Sequence, residues 1–255
     1  MKIALVGYGK MGKVIEEIAI ERNHQIVARF NSQLPLNDEN WVNCDVAIEF
    51  TNPEIAVHNI EFCLNKGVAI CIGSTGWYNH LPKMQQLCIQ NNASMLASTN
   101  FSIGVNLYWK VAAYISKLFQ NIPNYKAGIV ENHHIEKKDA PSGTAITLAE
   151  KFLENQNYYT DWNLTGTYWM EDATNFDAVK SINELNDNTL PIISIREPNV
   201  PGTHQLYEIG TNDFIKLEHQ ANNRKGFAEG AVIAAEWLFN KKGVFSMSDM
   251  LKFEE

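Results

Sequence analysis

The residues of this chain best equipped for chemistry lie between Glu131 and Lys138, where two adjacent histidines, two lysines and two carboxylates fall within eight positions. Imidazole and amine groups hold or release protons in the range where a catalyst works, so this set suits acid–base chemistry. The apolar run Ala127–Val130 precedes it and reads as a short buried strand. Asp139-Ala140-Pro141-Ser142 follows, a capping sequence with a proline, and Thr144–Ala149 continues at helical spacing. The whole reads as strand, polar loop and helix start. The N–H groups of Ser142, Gly143 and Thr144 would be open at that helix start, and the glycine lets a ligand approach the backbone, as a carboxylate or phosphate requires. Adjacent His133 and His134 point in different directions, and no Cys or carboxylate stands at helical ligand spacing, so no metal is expected. Ser142 lacks a nucleophile elbow and is better explained as a cap than as a nucleophile.

Such a loop needs a frame, and the opening of the chain supplies one kind. Lys2–Val6 is a continuous apolar strand that runs into Gly7-Tyr8-Gly9-Lys10-Met11-Gly12, and Val14, Ile15, Ile18 and Ala19 follow on one helical face. Strand, glycine turn and helix in that order form the dinucleotide fingerprint: one glycine makes the turn, one admits the pyrophosphate, and one packs helix on strand. Gln25–Phe30 reads as the second strand, after which an acid would hold the adenosine ribose. Arg29, Asn31 and Ser32 occupy that neighbourhood instead, with no carboxylate before Asp38, so NADPH is at least as plausible as NADH. Asp45–Phe50, Val68–Ile72 and Ser94–Ala97 continue the strands, with a helix through Ile55–Leu64 and polar turns at Gly73-Ser74-Thr75 and Ser98-Thr99-Asn100-Phe101.

Val105–Phe119 reads as an apolar helix leading into a second domain, which carries strands at Ile192–Arg196, Gln205–Gly210 and Phe214–Glu218 and a hairpin turn at Gly210–Asp213. The polar stretch from Thr160 to Asn188 shows no usable period. The segment from His219 reads as the opening of a helix that continues through Leu238 and is apolar enough to return to the first sheet. With 255 residues, 45% of them hydrophobic, two modest domains are expected, and a net charge of −8 argues against nucleic acid or an anionic membrane as the main partner. Cys44, Cys63, Cys71 and Cys88 form no C-x-x-C pair, the chain opens directly on a strand, and no apolar run approaches a bilayer span of about 20 residues, so a reducing cytoplasm is expected.

The glycine turn together with Glu131, His133, His134, Lys137, Asp139 and Ala140–Ala145 resembles the signature of the 4-hydroxy-tetrahydrodipicolinate (dihydrodipicolinate) reductase family, and the likeness extends to both ends of the chain. The resemblance implies an α/β fold. A Rossmann-type dinucleotide-binding domain would cover residues 1–103 and 220–255, and an α+β substrate-binding and oligomerisation domain with a mixed sheet would cover 104–219. It also implies NADH or NADPH as cofactor, a small cyclic dicarboxylate substrate and a homotetramer. Residue by residue, it makes His133 the acid/base and Lys137 a proton donor, and gives His134, Gly143, Thr144 and Arg224 to the substrate carboxylates. The glycine turn, Asn31, Gly73, Ser74, Thr75, Ser98, Thr99, Asn100 and Phe101 go to the cofactor. Two other readings stay open on the residues alone: a two-domain reductase of homoserine or aspartate type, and a dinucleotide-sensing regulator without a reaction.

Overall fold

The structure is a computed structural model that describes residues 1–171, 173–185, 188–223 and 225–252. The chain divides into two compact units, one holding Met1–Asn106 and Lys225–Glu255, the other Leu107–Arg224. The divide falls inside helix α4 (Ile103–Phe119), a few residues beyond the boundary that the sequence suggests.

The first unit contains β1 (Lys2–Val6), α1 (Lys10–Glu21), β2 (Gln25–Phe30), β3 (Val46–Glu49), α2 (Pro53–Asn65), β4 (Ala69–Ile72), α3 (Leu81–Gln90) and β5 (Ser94–Ala97), to which the end of the chain adds α7 (Lys225–Leu238), β11 (Gly243–Phe245) and α8 (Met247–Leu251). Its six strands are all parallel in the order β11-β5-β4-β3-β1-β2. A parallel sheet is covered on both faces, which is why β1 is apolar from Ile3 to Val6, β3 from Val46 to Ile48 and β4 along its whole length. Ile3, Leu5 and Ile48 pack with Ile15, Ile18, Ala231 and Ala235 of α1 and α7, while Ala4, Val6 and Ile70 pack with Ile60, Met84 and Cys88 of α2 and α3. Asn52 caps α2 by accepting from the Ile55 N–H, with Pro53 in the first helical position, where its missing donor costs nothing.

The second unit holds a mixed five-stranded sheet in the order β10-β9-β6-β8-β7, formed by β6 (Lys126–His133), β7 (Asp161–Trp169), β8 (Thr189–Arg196), β9 (Thr203–Ile209) and β10 (Phe214–Gln220). β8 and β7 run parallel to β6, and β9 and β10 follow antiparallel. The Gly210–Asp213 turn closes through a Gly210 N–H to Asp213 carbonyl bond of 2.9 Å. Val130, Ile193, Ile195, Tyr207 and Ile209 face α6 (Ala178–Asn183) on one side of the sheet. α5 (Gly143–Leu153) docks on α4 through Trp109 Nε1 to the Thr144 carbonyl at 3.2 Å and Ser116 Oγ to the Phe152 carbonyl at 2.7 Å.

Three sequence readings change. His219 and Gln220 close strand β10, and the following helix begins only at Lys225, after a short turn. The polar stretch after Thr160 contains β7, whose alternation is hidden by an irregularity between Leu164 and Gly166 and by an outer edge rich in polar and aromatic side chains. Most consequential, β6 does not stop at Val130 but runs to His133.

Candidate active site

Because β6 continues, Glu131 and His133 are strand residues pointing to one face, and both are buried. The register sets His133 beside Arg196 on β8 and Glu131 opposite His204 on β9. Polar side chains inside a strand break the apolar pattern that marks it, and they persist here because they satisfy one another.

Glu131 is fully buried and paired twice. Its Oε1 accepts from Arg196 Nη1 at 3.0 Å, and its Oε2 is in contact with His133 Nδ1. Burial alone would raise this carboxyl, but His133, then Ser194 and Arg196, reverse the effect and hold its pKa at about 2. With Nδ1 held by a carboxylate, the other ring nitrogen of His133, Nε2, is the one left for chemistry. A Cβ on Gly202 would come within 3.0 Å of that nitrogen, so glycine leaves it room.

Arg196, 1% exposed, also grips the loop that follows β6: Nη2 donates to the Asp139 carbonyl at 2.7 Å and Nε to the Lys137 carbonyl at 3.3 Å. The Lys137 ammonium rests on Asp139, 2.9 and 2.8 Å from its two carboxylate oxygens. The Asp139 side chain is 62% exposed, so this pair is weak and easily exchanged for another anion.

His204 joins the cluster from β9. Its ring meets the His133 ring edge-on at 5.1 Å, and its Nε2 lies 3.1 Å from Ser142 Oγ. Burial, and after it the neighbouring His133, pushes its pKa down to about 3, so it is neutral. Ser142 Oγ accepts from the Ala145 N–H at 3.2 Å as the N-cap of α5, which leaves its own proton for His204. The anion-receptive end of α5 is thereby tied to the histidine pair. Gly143 is exposed with open space where a Cβ would stand, and His134, next to His133 in sequence, is half-buried. Arg224 lies outside the described residues. Donor atoms of Glu131, His133 and His204 fall within 4.8 Å of one another, close enough for a metal ion, but any cation there would compete with the guanidinium already on Glu131.

The glycine turn of the first unit fits a dinucleotide. Gly7 has φ +101°, and a side chain there would strike the Phe50 carbonyl; one on Gly12 would strike the Gly7 carbonyl. Gly9, which caps α1 without a side-chain bond, faces no atom within 4 Å. Two of the three glycines are thus required by the protein's own packing, and the third is the one that keeps the helix end, with Lys10 and Met11 in its first turn, accessible to a phosphate. The Gly7 and Tyr8 N–H groups are spent on the Phe30 carbonyl, at 3.0 and 2.9 Å.

The other cofactor candidates sit at carboxyl ends of strands. Gly73 packs against the Phe50 ring, and Ser74 Oγ accepts from the Thr51 N–H at 2.7 Å, whereas Thr75 is exposed. Ser98 Oγ donates to the Asn100 carbonyl at 2.7 Å, Asn100 Oδ1 accepts from Ser102, Phe101 packs on Phe50 with ring centres 5.9 Å apart, and Thr99 is exposed. Asn31 uses its Oδ1 in a local turn, accepting from the Gln33 and Leu34 N–H groups at 2.9 and 3.0 Å.

Comparison with known proteins gives this geometry a family. The N-terminal and C-terminal family models of dihydrodipicolinate reductase match residues 1–101 and 104–251. The chain is 38% identical over 251 residues, 98% of both sequences, to the 4-hydroxy-tetrahydrodipicolinate reductase of Christiangramia forsetii. It belongs to the dihydrodipicolinate reductase family. It is 35% identical to the Rickettsia bellii enzyme over 96% of this chain and 91% of that one. The fold also matches a dipicolinate-bound dihydrodipicolinate reductase from Paenisporosarcina sp. TG-14, with a TM-score of 0.73, 22% identity, and coverage of 96% and 97% of the two chains. Membership makes the chain an NAD(P)H-dependent oxidoreductase, a 4-hydroxy-tetrahydrodipicolinate reductase of the diaminopimelate route to lysine. The homoserine, aspartate and sensor readings fall away. No helix among the described residues is long and apolar enough to cross a membrane.

Sequence reasoning missed Arg196, His204 and Gly202. The only available signal was an arginine ending the apolar run Ile192–Ile195 and a histidine entering the alternation of β9.

Proposed function

We propose that His133 and Lys137 carry the protons of the reaction, in which 4-hydroxy-tetrahydrodipicolinate is reduced to tetrahydrodipicolinate with loss of water. The observation that supports this most is the buried Glu131 carboxylate bound to His133 Nδ1, because it orients the ring and leaves Nε2 for a substrate proton. NADH or NADPH, when bound, supplies the hydride. The electron density that this puts on the ring system must be met by a proton. Lys137 is the donor in our reading, since its ammonium rests on an exposed carboxylate and its loop is fixed by Arg196. His134, Gly143, Thr144 and Arg224 hold the two substrate carboxylates, with the N-terminus of α5 at Gly143 favouring an anion. The dipicolinate bound by the Paenisporosarcina protein is a cyclic dicarboxylate and supports that substrate class here. The cofactor takes the glycine turn Gly7–Gly12, Asn31, Gly73–Thr75 and Ser98–Phe101.

The proposal includes a cytoplasmic homotetramer built on the mixed sheet. Trp169 of β7 and Phe214 and Ile215 of β10 are 64%, 53% and 48% exposed, so both edge strands carry apolar surface suited to self-association. The test of the function is a steady-state assay with freshly generated cyclic substrate, following NADH and NADPH oxidation separately. Turnover is expected with the cyclic dicarboxylate and not with homoserine, aspartate semialdehyde or simple 2-oxo acids. Robust turnover of those compounds with none of the cyclic one would overturn the reading.

A further inference from the structure

We infer that Glu16, on α1, is a specificity-determining residue that turns the cofactor site toward NADH and away from NADPH. The inference rests on the reading of the glycine turn as a dinucleotide site. No acid follows β2, but the fold brings one from elsewhere. Glu16 accepts the Tyr8 hydroxyl from within the glycine turn, and its Oε1 accepts Arg29 Nε at 2.8 Å from the penultimate residue of β2. The Arg29 guanidinium in turn lies 5.8 Å over the centre of the Tyr8 ring. The three side chains form a closed set, joining the turn that would hold the pyrophosphate to the strand end that conventionally reads the ribose.

The charges decide which cofactor this set favours. Arg29 is the cation that the sequence offers to a 2'-phosphate, yet it is already neutralised. To serve the phosphate it would have to leave Glu16, and the carboxylate would then stand beside a group carrying close to two negative charges. A ribose diol makes no such demand, because its hydroxyls can donate to a carboxylate while Arg29 stays in place. The Glu16 side chain is only 13% exposed, so solvent screens the repulsion poorly on that side, while Arg29 at 42% remains partly wet. Arg29 also holds the Glu16 carboxyl below its usual range, which keeps it ionised near neutrality.

The test is direct binding to the intact protein, by calorimetry or tryptophan fluorescence, of NADH and NADPH and of AMP and adenosine 2',5'-bisphosphate as fragments without the nicotinamide. Wild type is expected to prefer NADH and AMP. Glu16→Gln should shift both Kd ratios toward the 2'-phosphorylated ligand on the order of tenfold or more, the scale of one charge-assisted contact, whereas Glu16→Asp, which keeps the charge, should retain the preference. If Glu16→Gln does not fold, Arg29→Gln gives the complementary reading: with the carboxylate uncompensated, NADPH affinity should fall while NADH affinity holds. Wild-type preference for NADPH, or unchanged ratios in a folded Glu16→Gln protein that still binds dinucleotide, would overturn the assignment of Glu16. Failure of folded wild type to bind either dinucleotide would instead overturn the glycine-turn reading beneath it.

Discussion

The glycine turn of the first unit and the β6–α5 region of the second, the proposed cofactor and substrate sites, are built by opposite means. Around Gly7, Gly9 and Gly12 the preparation is made by the backbone: two glycines are demanded by close packing, and the third keeps a helix end accessible. Around His133 it is made by buried charge, with Glu131 between Arg196 and His133 on one face of a sheet and His204 packed edge-on against the His133 ring. A backbone device is written in neighbouring residues. A charge device is assembled from strands that meet only in the folded chain, and it collapses if one member is lost. The two regions should therefore fail differently, the first through ligand affinity and the second through the chemical step and through stability.

The largest expected effect is on chemistry. Lys137→Ala should lower kcat about 100-fold to 10,000-fold, the range of a positioned acid, with the melting temperature nearly unchanged because its pair with Asp139 is exposed. Steady-state kinetics beside a melting curve would show this, and near-wild-type kcat would remove Lys137 from the mechanism. Arg196→Met should instead act on the fold. It leaves Glu131 buried beside His133 without its second partner and releases the loop at Lys137 and Asp139, so a stability loss of about 3–5 kcal/mol is expected in denaturant titration. A loss below about 1 kcal/mol, the scale of an exposed pair, would mean that the cluster is not the structural unit described.

The same contrast explains what could be read in advance. The first unit was legible almost strand by strand, because a parallel sheet covered on both faces requires continuous apolar runs and the glycine spacing carries its own geometry. In the second unit the Glu131–Ala145 signature is legible as chemistry, but its first three residues read as loop rather than strand, since Glu131 and His133 interrupt the apolar pattern of β6. Arg196 could not be connected to Glu131, 65 residues away, without the parallel pairing of β6 and β8. β7 was lost for a related reason: an edge strand with a register irregularity offers no clean alternation. The carboxylate nearest the end of β2 is a similar case: Glu16 stands on α1 and meets Arg29 only in the folded chain.

A smaller effect sharpens the comparison through pH. His204 is neutral in the folded protein until about pH 3, while an unfolded imidazole takes up its proton near 6.5, so between those values the unfolded state binds the extra proton. The contribution of this site to stability is complete above pH 6.5 and is lost as the pH falls toward 3. His204→Gln should remove that slope, up to about 1.4 kcal/mol per pH unit, and urea titrations at pH 7 and pH 4 would reveal it. An identical acid-side loss in the variant would show that His204 is not held neutral.

The claim that chemistry and cofactor binding are prepared by separate devices is tested most directly by His133→Ala, with kcat and the dinucleotide Kd measured on the same preparation. Each device is confined to its own unit, so kcat should fall about 100-fold to 10,000-fold while the Kd for NADH stays within experimental error of wild type. A kcat close to that of wild type, or a loss of NADH affinity as large as the loss of kcat, would contradict it.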